Sequence, residues 1–260
     1  MDNLTHCPFC HGTIKPHWKA VYIWKCNACD LLFRNPFPSE ADLVNMYEVG
    51  WTDPQEHLAE TGGTSSDLAR IYSRKLANSL GRNDLNGLKI CEFGAGRGAM
   101  LAALAYLGAD VYAIESFGSH FLRERGYKVF RTLDEIPKGL LFDGIVTIDV
   151  LEHLTTPWNE LKRFMEICKT NSFVYIATPN VGGLNARIYG SRWREALNPS
   201  HLVLFTPRSL EQVLASCGYK RYRRLRWFIR YSRNPALLLL RYPLQASRLD
   251  GELRYLAWNS

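Results

Sequence analysis

Three groups of side chains in this sequence have types and spacing suited to chemistry. The first lies in Leu88 to Gly98, LKICEFGAGRG, where the acid Glu92 stands two residues before the first of three alternating glycines, Gly94, Gly96 and Gly98. Glycine tolerates positive φ and lets a ligand approach the backbone closely, and amides exposed at the start of the following helix suit an anionic group. The glycine spacing leaves two ligands open. Gly94-x-Gly96-x-x-Ala99 satisfies the dinucleotide fingerprint, with Glu115 at the end of the next apolar run as its ribose acid. Glu92 separates the two: a carboxylate there repels a pyrophosphate, yet accepts hydrogen bonds, directly or through water, from a ligand ammonium group.

The second group is Asp149-Val150-Leu151-Glu152-His153-Leu154, which ends a further apolar run, together with His201. Histidine titrates near neutrality and can take the proton of an alcohol or phenol, so His201 and His153 are the candidate catalytic bases. Each also has an ordinary reading, His153 fixing its own loop and His201 anchoring an irregular segment. Glu152 reads as orienting a neighbour, and Asp149 as holding the loop or a ligand amine. The third group is Cys7-x2-Cys10, then fifteen residues, then Cys26-x2-Cys29. Paired thiolates at this spacing form two knuckles that close a tetrahedral Zn²⁺ site. With no fifth cysteine nearby, the site reads as structural, while Cys91, Cys168 and Cys217 read as buried thiols.

A ligand with an ammonium group, a ribose for Glu115 and no phosphate describes S-adenosylmethionine. Its expected contacts are Glu92, Gly94, Ala95, Gly96, Glu115, Ser116, Asp149 and Val150. The E-x-G-x-G-x-G loop, the acid ending the next strand, D-x-x-E-H over 149–153, Thr178-Pro179-Asn180, and H-x-x-x-F-T from His201 to Thr206 follow one another in order. Together they resemble class I S-adenosylmethionine-dependent methyltransferases, most of all the ubiquinone-biosynthesis O-methyltransferase type. The resemblance implies an α/β fold: a doubly wound, seven-stranded, mostly parallel, Rossmann-like sheet, here preceded by a small N-terminal zinc ribbon. It also implies that a leading helix and the aromatic stretch before it cover the cofactor, which makes Tyr47 and Trp51 lid candidates. The chain departs from the family at Lys169-Thr170-Asn171-Ser172, where a Pro-Gly-Gly-like turn is usual.

Strands over 88–93, 110–115, 128–130, 142–149 and 173–178 alternate with helices over 99–107, 118–125 and 157–168, the pattern of a parallel sheet covered on both faces. Ligands of such sheets sit beyond the carboxyl ends of the strands, so Glu92, Glu115, Asp149 to His153 and Thr178 to Asn180 belong on one rim. Residues 1–35 form the zinc-ribbon module, with Pro36 and Pro38 as a stiff exit. Residues 36–86 are a linker and helical lid, whose helix puts Leu68, Ile71, Tyr72, Leu76 and Leu80 on one face. Residues 87–260 are the methyltransferase domain. Within it 182–201 reads as irregular, Thr206-Pro207 opens a helix that ends near Gly218, a basic strand covers 219–228, and a final antiparallel strand covers 250–258. The stretch 229–249 is then an insertion.

The chain has 260 residues, 47% of them hydrophobic, enough to bury one large core plus a small module. No N-terminal signal pattern appears, and the apolar run Ala236 to Leu240 is far short of the ~20 residues that span a bilayer, so a soluble, cytoplasmic protein is expected. The net charge of +7 is concentrated in Lys220, Arg221, Arg223, Arg224, Arg226, Arg230 and Arg233, interleaved with Tyr222, Trp227, Phe228 and Tyr231. This stretch reads either as a solvated strand edge or as a surface for RNA or an anionic membrane. Two functions follow: in-line methylation of a small-molecule or glycan acceptor, and, as the alternative, RNA methylation with the zinc module and 219–233 holding the RNA. A non-enzymatic scaffold has no physical need for Glu92 and Glu115. Whether O, N or C accepts the methyl, and the oligomeric state, stay open.

Overall fold

The computed structural model describes residues 3–39, 41–46, 66–227 and 249–259. Tyr47, Trp51 and the insertion at about 229–249 lie outside the described residues, as do Phe228, Arg230, Tyr231 and Arg233 of the basic stretch.

Seven strands make the main sheet: β4 (Lys89–Phe93), β5 (Asp110–Ile114), β6 (Lys128–Phe130), β7 (Phe142–Ile148), β8 (Cys168–Pro179), β10 (Arg221–Arg224) and β11 (Glu252–Trp258). Their spatial order is β10-β11-β8-β7-β4-β5-β6. Strands β4 to β8 are parallel, and β11 runs antiparallel between β8 and β10. From β4 the chain moves outward to β5 and later returns on the other side to β7, so the order switches between β4 and β7. A crevice opens at such a switch, beyond the carboxyl ends of the two strands.

Successive side chains of a strand face opposite ways, and two cores result. Ile90, Val146, Tyr175 and Leu256 pack with Tyr72 and Leu76 of helix α1 (Ser66–Ser79) and Leu104 of α2 (Ala99–Tyr106). Cys91, Ile145, Ile176 and Tyr255 pack with Leu161 and Phe164 of α4 (Pro157–Glu166) and Leu210 and Leu214 of α7 (Pro207–Ser216). Short helix α3 (Ser119–Glu124) covers the β5–β6 end. Helix α7 starts where the sequence says it should: Thr206 accepts the Ser209 amide at 3.1 Å, the Ser209 hydroxyl binds the Thr206 amide in return, and Pro207 needs no amide partner at the first turn.

The N-terminal module is a hairpin, β1 (Ile14–Trp18) with β2 (Ile23–Cys26), to which β3 (Leu32–Arg34) adds a third antiparallel strand. It does not stand apart. Strand β3 pairs antiparallel with β9 (Val203–Leu204) from the far end of the chain, Phe33 opposite Val203. Cys7, Cys26, Cys29, Leu31 and Phe33 are continuous with the second core of the main sheet. Residue 35 is therefore an end of local sequence pattern but no gap in packing.

The extents of several elements differ from the sequence reading. The segment 182–201, read as irregular, holds α5 (Leu184–Tyr189), a 3₁₀ turn and α6 (Arg194–Leu197), because its glycines divide the chain into pieces of only one or two turns. The basic strand is confined to 221–224, and α4 ends at Glu166 instead of 168. The departing 169–172 stretch is part of β8, with Asn171 at φ +63° and its amide bonded to the Asn259 carbonyl at 2.6 Å. Among the described residues no helix is long and apolar enough to cross a membrane.

Candidate active site

The glycine turn stands at the carboxyl end of β4. Gly94, Gly96 and Gly98 have φ of +74°, +52° and +81°, the left-handed region that favours glycine. A Cβ on Gly94 would lie 2.4 Å from a Val150 methyl carbon, so the loop after β7 is packed directly on the turn. Among the described residues a Cβ on Gly96 would meet nothing within 4 Å, which leaves room there for a ligand.

Glu115 and Glu92 are held differently. The Glu115 carboxylate accepts the Gly96 amide at 2.8 Å and the Phe117 and Gly118 amides at 3.0 and 3.1 Å, clamping the two strand-end turns together. Ser116 turns away and donates to the Arg131 carbonyl. Glu92 lies buried beneath the loop, where burial pushes its carboxyl well up and the Leu101 amide opposes that. Among the described residues its Oε2 has no hydrogen-bond partner. An orphaned buried carboxyl oxygen at the foot of a glycine turn fits a cationic amine, since an unpaired polar group costs about 1–3 kcal/mol. With the open face at Gly96 and the Glu115 carboxylate, the donor set fits an aminoacyl nucleoside.

The loop after β7 carries the second group. Asp149 has φ +52° and keeps exposed surface, yet protein surrounds it on most sides. Its carboxyl is pushed up to about 8, first by desolvation and then by Glu252 and Glu195. Glu152 is fully buried; burial, followed by Asp149, raises it well above the usual range. It accepts the Thr178 hydroxyl at 2.9 Å, while its backbone carbonyl takes the Leu202 amide at 2.7 Å. Asn180, the last residue of the T-P-N segment, receives the Gly182 amide and donates to the Asp250 carbonyl, so its visible bonds shape a turn.

His153 and His201 meet edge to face, their ring centroids 4.7 Å apart. Nδ1 of His153 lies 3.1 Å from the Ser200 carbonyl, and Nδ1 of His201 3.1 Å from the Glu195 carbonyl. A carbonyl only accepts, so each Nδ1 carries the proton and each Nε2 presents a lone pair. Burial lowers His153 to about 4; burial and then His153 lower His201 to about 2. Both rings are neutral at pH 7. His201 is almost fully enclosed, while His153 is half-buried. Glu152, His153 and His201 each offer a ligand atom within 4.8 Å of the others, so the same cluster has a donor set for a divalent cation.

The four cysteines form a separate cluster, their sulfurs all within 4.8 Å of one another. The Cys7 and Cys29 sulfurs are 3.7 Å apart, and those of Cys10 and Cys26 3.4 Å. Tetrahedral Zn–S bonds of about 2.3 Å place sulfurs about 3.8 Å apart. The Ala28 and Cys29 amides approach Cys26 Sγ at 3.4 and 3.5 Å, and a Cβ on Gly12 would crowd the Cys10 and Cys26 sulfurs at 3.3 Å. The residues fit a tetrahedral thiophilic cation.

The buried guanidinium of Arg34 was not singled out by the sequence. It donates to the carbonyls of His201, Val21, Ala196 and Asn198 at 3.0, 2.9, 2.9 and 2.5 Å. A lone arginine at the end of a strand carries no sequence signal of this; its partners are supplied by the tertiary fold.

The described part of the basic stretch is largely engaged. Trp227 stacks on Tyr175 and bonds the Ser79 hydroxyl, Arg221 lies over the Trp258 ring at 4.2 Å, and Arg224 pairs with Asp250. A cavity of about 440 Å³ opens beside it, between Lys75, Ser79, Arg223 and Trp227.

Known proteins resemble this chain in sequence and in fold. Residues 65–224 match a family model described as a methyltransferase domain. A ubiquinone biosynthesis O-methyltransferase of Rickettsia canadensis is 27% identical over 151 residues, covering 52% of this chain and 64% of that protein. One from Azorhizobium caulinodans is 24% identical over 204 residues, covering 70% of this chain and 81% of the relative. Among solved structures, a SAM-dependent methyltransferase from Archaeoglobus fulgidus aligns with TM-score 0.56 at 17% identity, over 79% of this chain and all of that one. The 1,6-didemethyltoxoflavin-N1-methyltransferase of Burkholderia thailandensis, solved with bound 1,6-didemethyltoxoflavin and S-adenosylhomocysteine, aligns with TM-score 0.56 at 14% identity over 90% of this chain and 97% of that one.

Proposed function

This chain belongs to the methyltransferase-domain family, and from that premise we propose that it transfers the methyl group of S-adenosylmethionine to a hydroxyl of a small molecule. The observation that carries the reading is the packing of Val150 onto Gly94, which joins the cofactor turn to the loop bearing His153. The relatives' names, O-methyltransferases of ubiquinone biosynthesis, support an oxygen acceptor, and the toxoflavin enzyme supports a small one.

The cofactor, when bound, supplies an electrophilic methyl on a sulfonium. Glu115 would receive the ribose hydroxyls, while Ser116 holds the Arg131 carbonyl beside it; Glu92 and Asp149 would hold the amine, and Gly94, Ala95 and Gly96, with Val150 packed on Gly94, would let the backbone come close. The chain's task at the acceptor is to hold the oxygen in line and remove its proton. Alignment of this kind contributes roughly 7–11 kcal/mol to a barrier. His153 accepts the proton at Nε2, because it retains exposed surface and its Nδ1 proton is fixed on Ser200. His201 sits behind it and holds the ring edge-on. A base this weak accepts the proton only as the oxygen's new bond forms, so placement outweighs basicity. We also infer that the four cysteines hold Zn²⁺ as a structural ion.

The alternative, RNA methylation, draws on the charge of 219–233, but Trp227 and Arg224 are committed to the interior. The test supplies labelled-methyl S-adenosylmethionine to the purified protein with a cell extract, with and without ribonuclease. Label in a small-molecule or lipid fraction supports the proposal; label released by ribonuclease overturns it.

A further inference from the structure

Resting on the reading of the strand-end rim as the acceptor side, we propose that Arg34 is a positioning residue through which the four-cysteine module sets the placement of His201. The module reaches the rim by two routes, and both end on one segment. Strand β3 extends its sheet onto β9, with the Arg34 amide bonded to the Leu202 carbonyl at 2.8 Å. The Arg34 side chain then turns back across the segment before β9 and fixes the carbonyls of Ala196, Asn198 and His201. These three lie on the stretch that carries His201 and, through Ser200, holds Nδ1 of His153.

The chemistry suits arginine alone. A planar guanidinium presents five donors in a fixed fork, while a lysine ammonium is a point charge with three. The carbonyls that Arg34 meets come from both sides of the junction, Val21 in the module and the rest beyond residue 195, so the side chain is a rivet between them. On the other face of β3, Phe33 is packed in the same core as Cys7, Cys26 and Cys29. The strand therefore connects the sulfur cluster to the histidine pair with no flexible link between. Arg208 adds a second tie, its guanidinium 3.6 Å from Asp30 in the cysteine knuckle.

A purely structural ribbon would stabilise the chain as a whole. A positioning link makes a narrower demand: loosening it must disturb 194–204 and the histidine pair and spare the cofactor turn, which hangs on β4 and β5.

The full-length chain with Arg34→Met, and separately Arg34→Lys, is examined by amide hydrogen exchange, by NMR titration of the histidine rings, and by calorimetric binding of S-adenosylmethionine. For Arg34→Met we expect exchange in 194–204 to rise at least tenfold, with β4 and β5 unchanged. The His153 and His201 titrations should move up toward the ordinary histidine range, with cofactor affinity held within twofold. Arg34→Lys should give the same pattern in smaller degree. Wild-type protein stripped of metal by a chelator covers the case in which a variant does not fold: exchange should rise in 14–34 and 194–204 together. The proposal is overturned if the histidine titrations stay as in wild type when 14–34 loosens, or if exchange rises evenly across the main sheet. None of these readouts uses methyl transfer, so failure of the assigned reaction would show separately, as absence of labelled product from a chain that passes them all.

Discussion

Glu115 is the residue whose loss has the most calculable effect. In the structure its carboxylate accepts three amides, from Gly96, Phe117 and Gly118, and in the proposed complex it also receives ribose hydroxyls. A hydrogen bond to a charged group contributes about 1.5–3 kcal/mol, so losing the ribose interaction in Glu115→Ala weakens cofactor binding from about tenfold to roughly 150-fold. The freed amides add to this, because Gly96 then loses its tether and the turn must be ordered at the expense of binding. Glu115→Gln keeps the shape and one acceptor oxygen, and is expected to fall between wild type and alanine. Calorimetric titration with S-adenosylhomocysteine measures both, with circular dichroism to show that the fold persists. Wild-type affinity in a folded Glu115→Ala protein refutes the assignment.

Gly94→Ala forces a left-handed residue at about 1–2 kcal/mol and drives a Cβ into Val150; cofactor binding should be lost, and Val150→Ala should restore part of it, the steric part only. An equal loss with and without Val150→Ala would show that the contact is irrelevant. His153, depressed to about 4 by burial, stays neutral while the unfolded chain protonates near 6.5. Its contribution to stability is thus present above about 6.5 and lost as pH falls toward 4. Urea titrations of wild type and His153→Asn across that window should converge on acidification, and parallel curves would contradict a buried neutral ring. For the same reason the methyl-transfer rate should show no ascending limb centred near pH 6.5. Metal analysis of the purified chain should find one zinc per chain, and Cys26→Ser should reduce it; a full complement of zinc in that variant would remove Cys26 from the site.

The parallel strands β4, β5, β7 and β8 were legible because each contains a short apolar run with period two or full burial. Glu115 stands just beyond the end of β5, whereas Glu92, read as the end of its run, lies inside β4 and is buried. The cysteine module was legible from spacing alone. What was hidden depends on pairs distant in sequence. Nothing near Arg34 indicates four carbonyl partners, and Val203-Leu204 is too short a strand to be recognised without β3 beside it. The helices within 182–201 escaped because single turns have no periodicity to read. Trp227, interleaved with arginines, read as part of a solvated strand edge or of a surface for RNA or a membrane; the sequence does not show that Tyr175 stacks on it.

The pairing of β3 with β9 also bears on how the chain is made. The Arg34–His201 contact spans 167 residues, so the cysteine module emerges during synthesis with an unfinished edge that is paired only after the segment around His201 has followed. Long-range pairings of this kind slow folding, and an open strand edge invites pairing with another chain. A cation gripped early by the four cysteines would give the nascent hairpin its own stability during that wait. Metal starvation during expression should then reduce the yield of monomeric protein more than metal removal harms protein already folded.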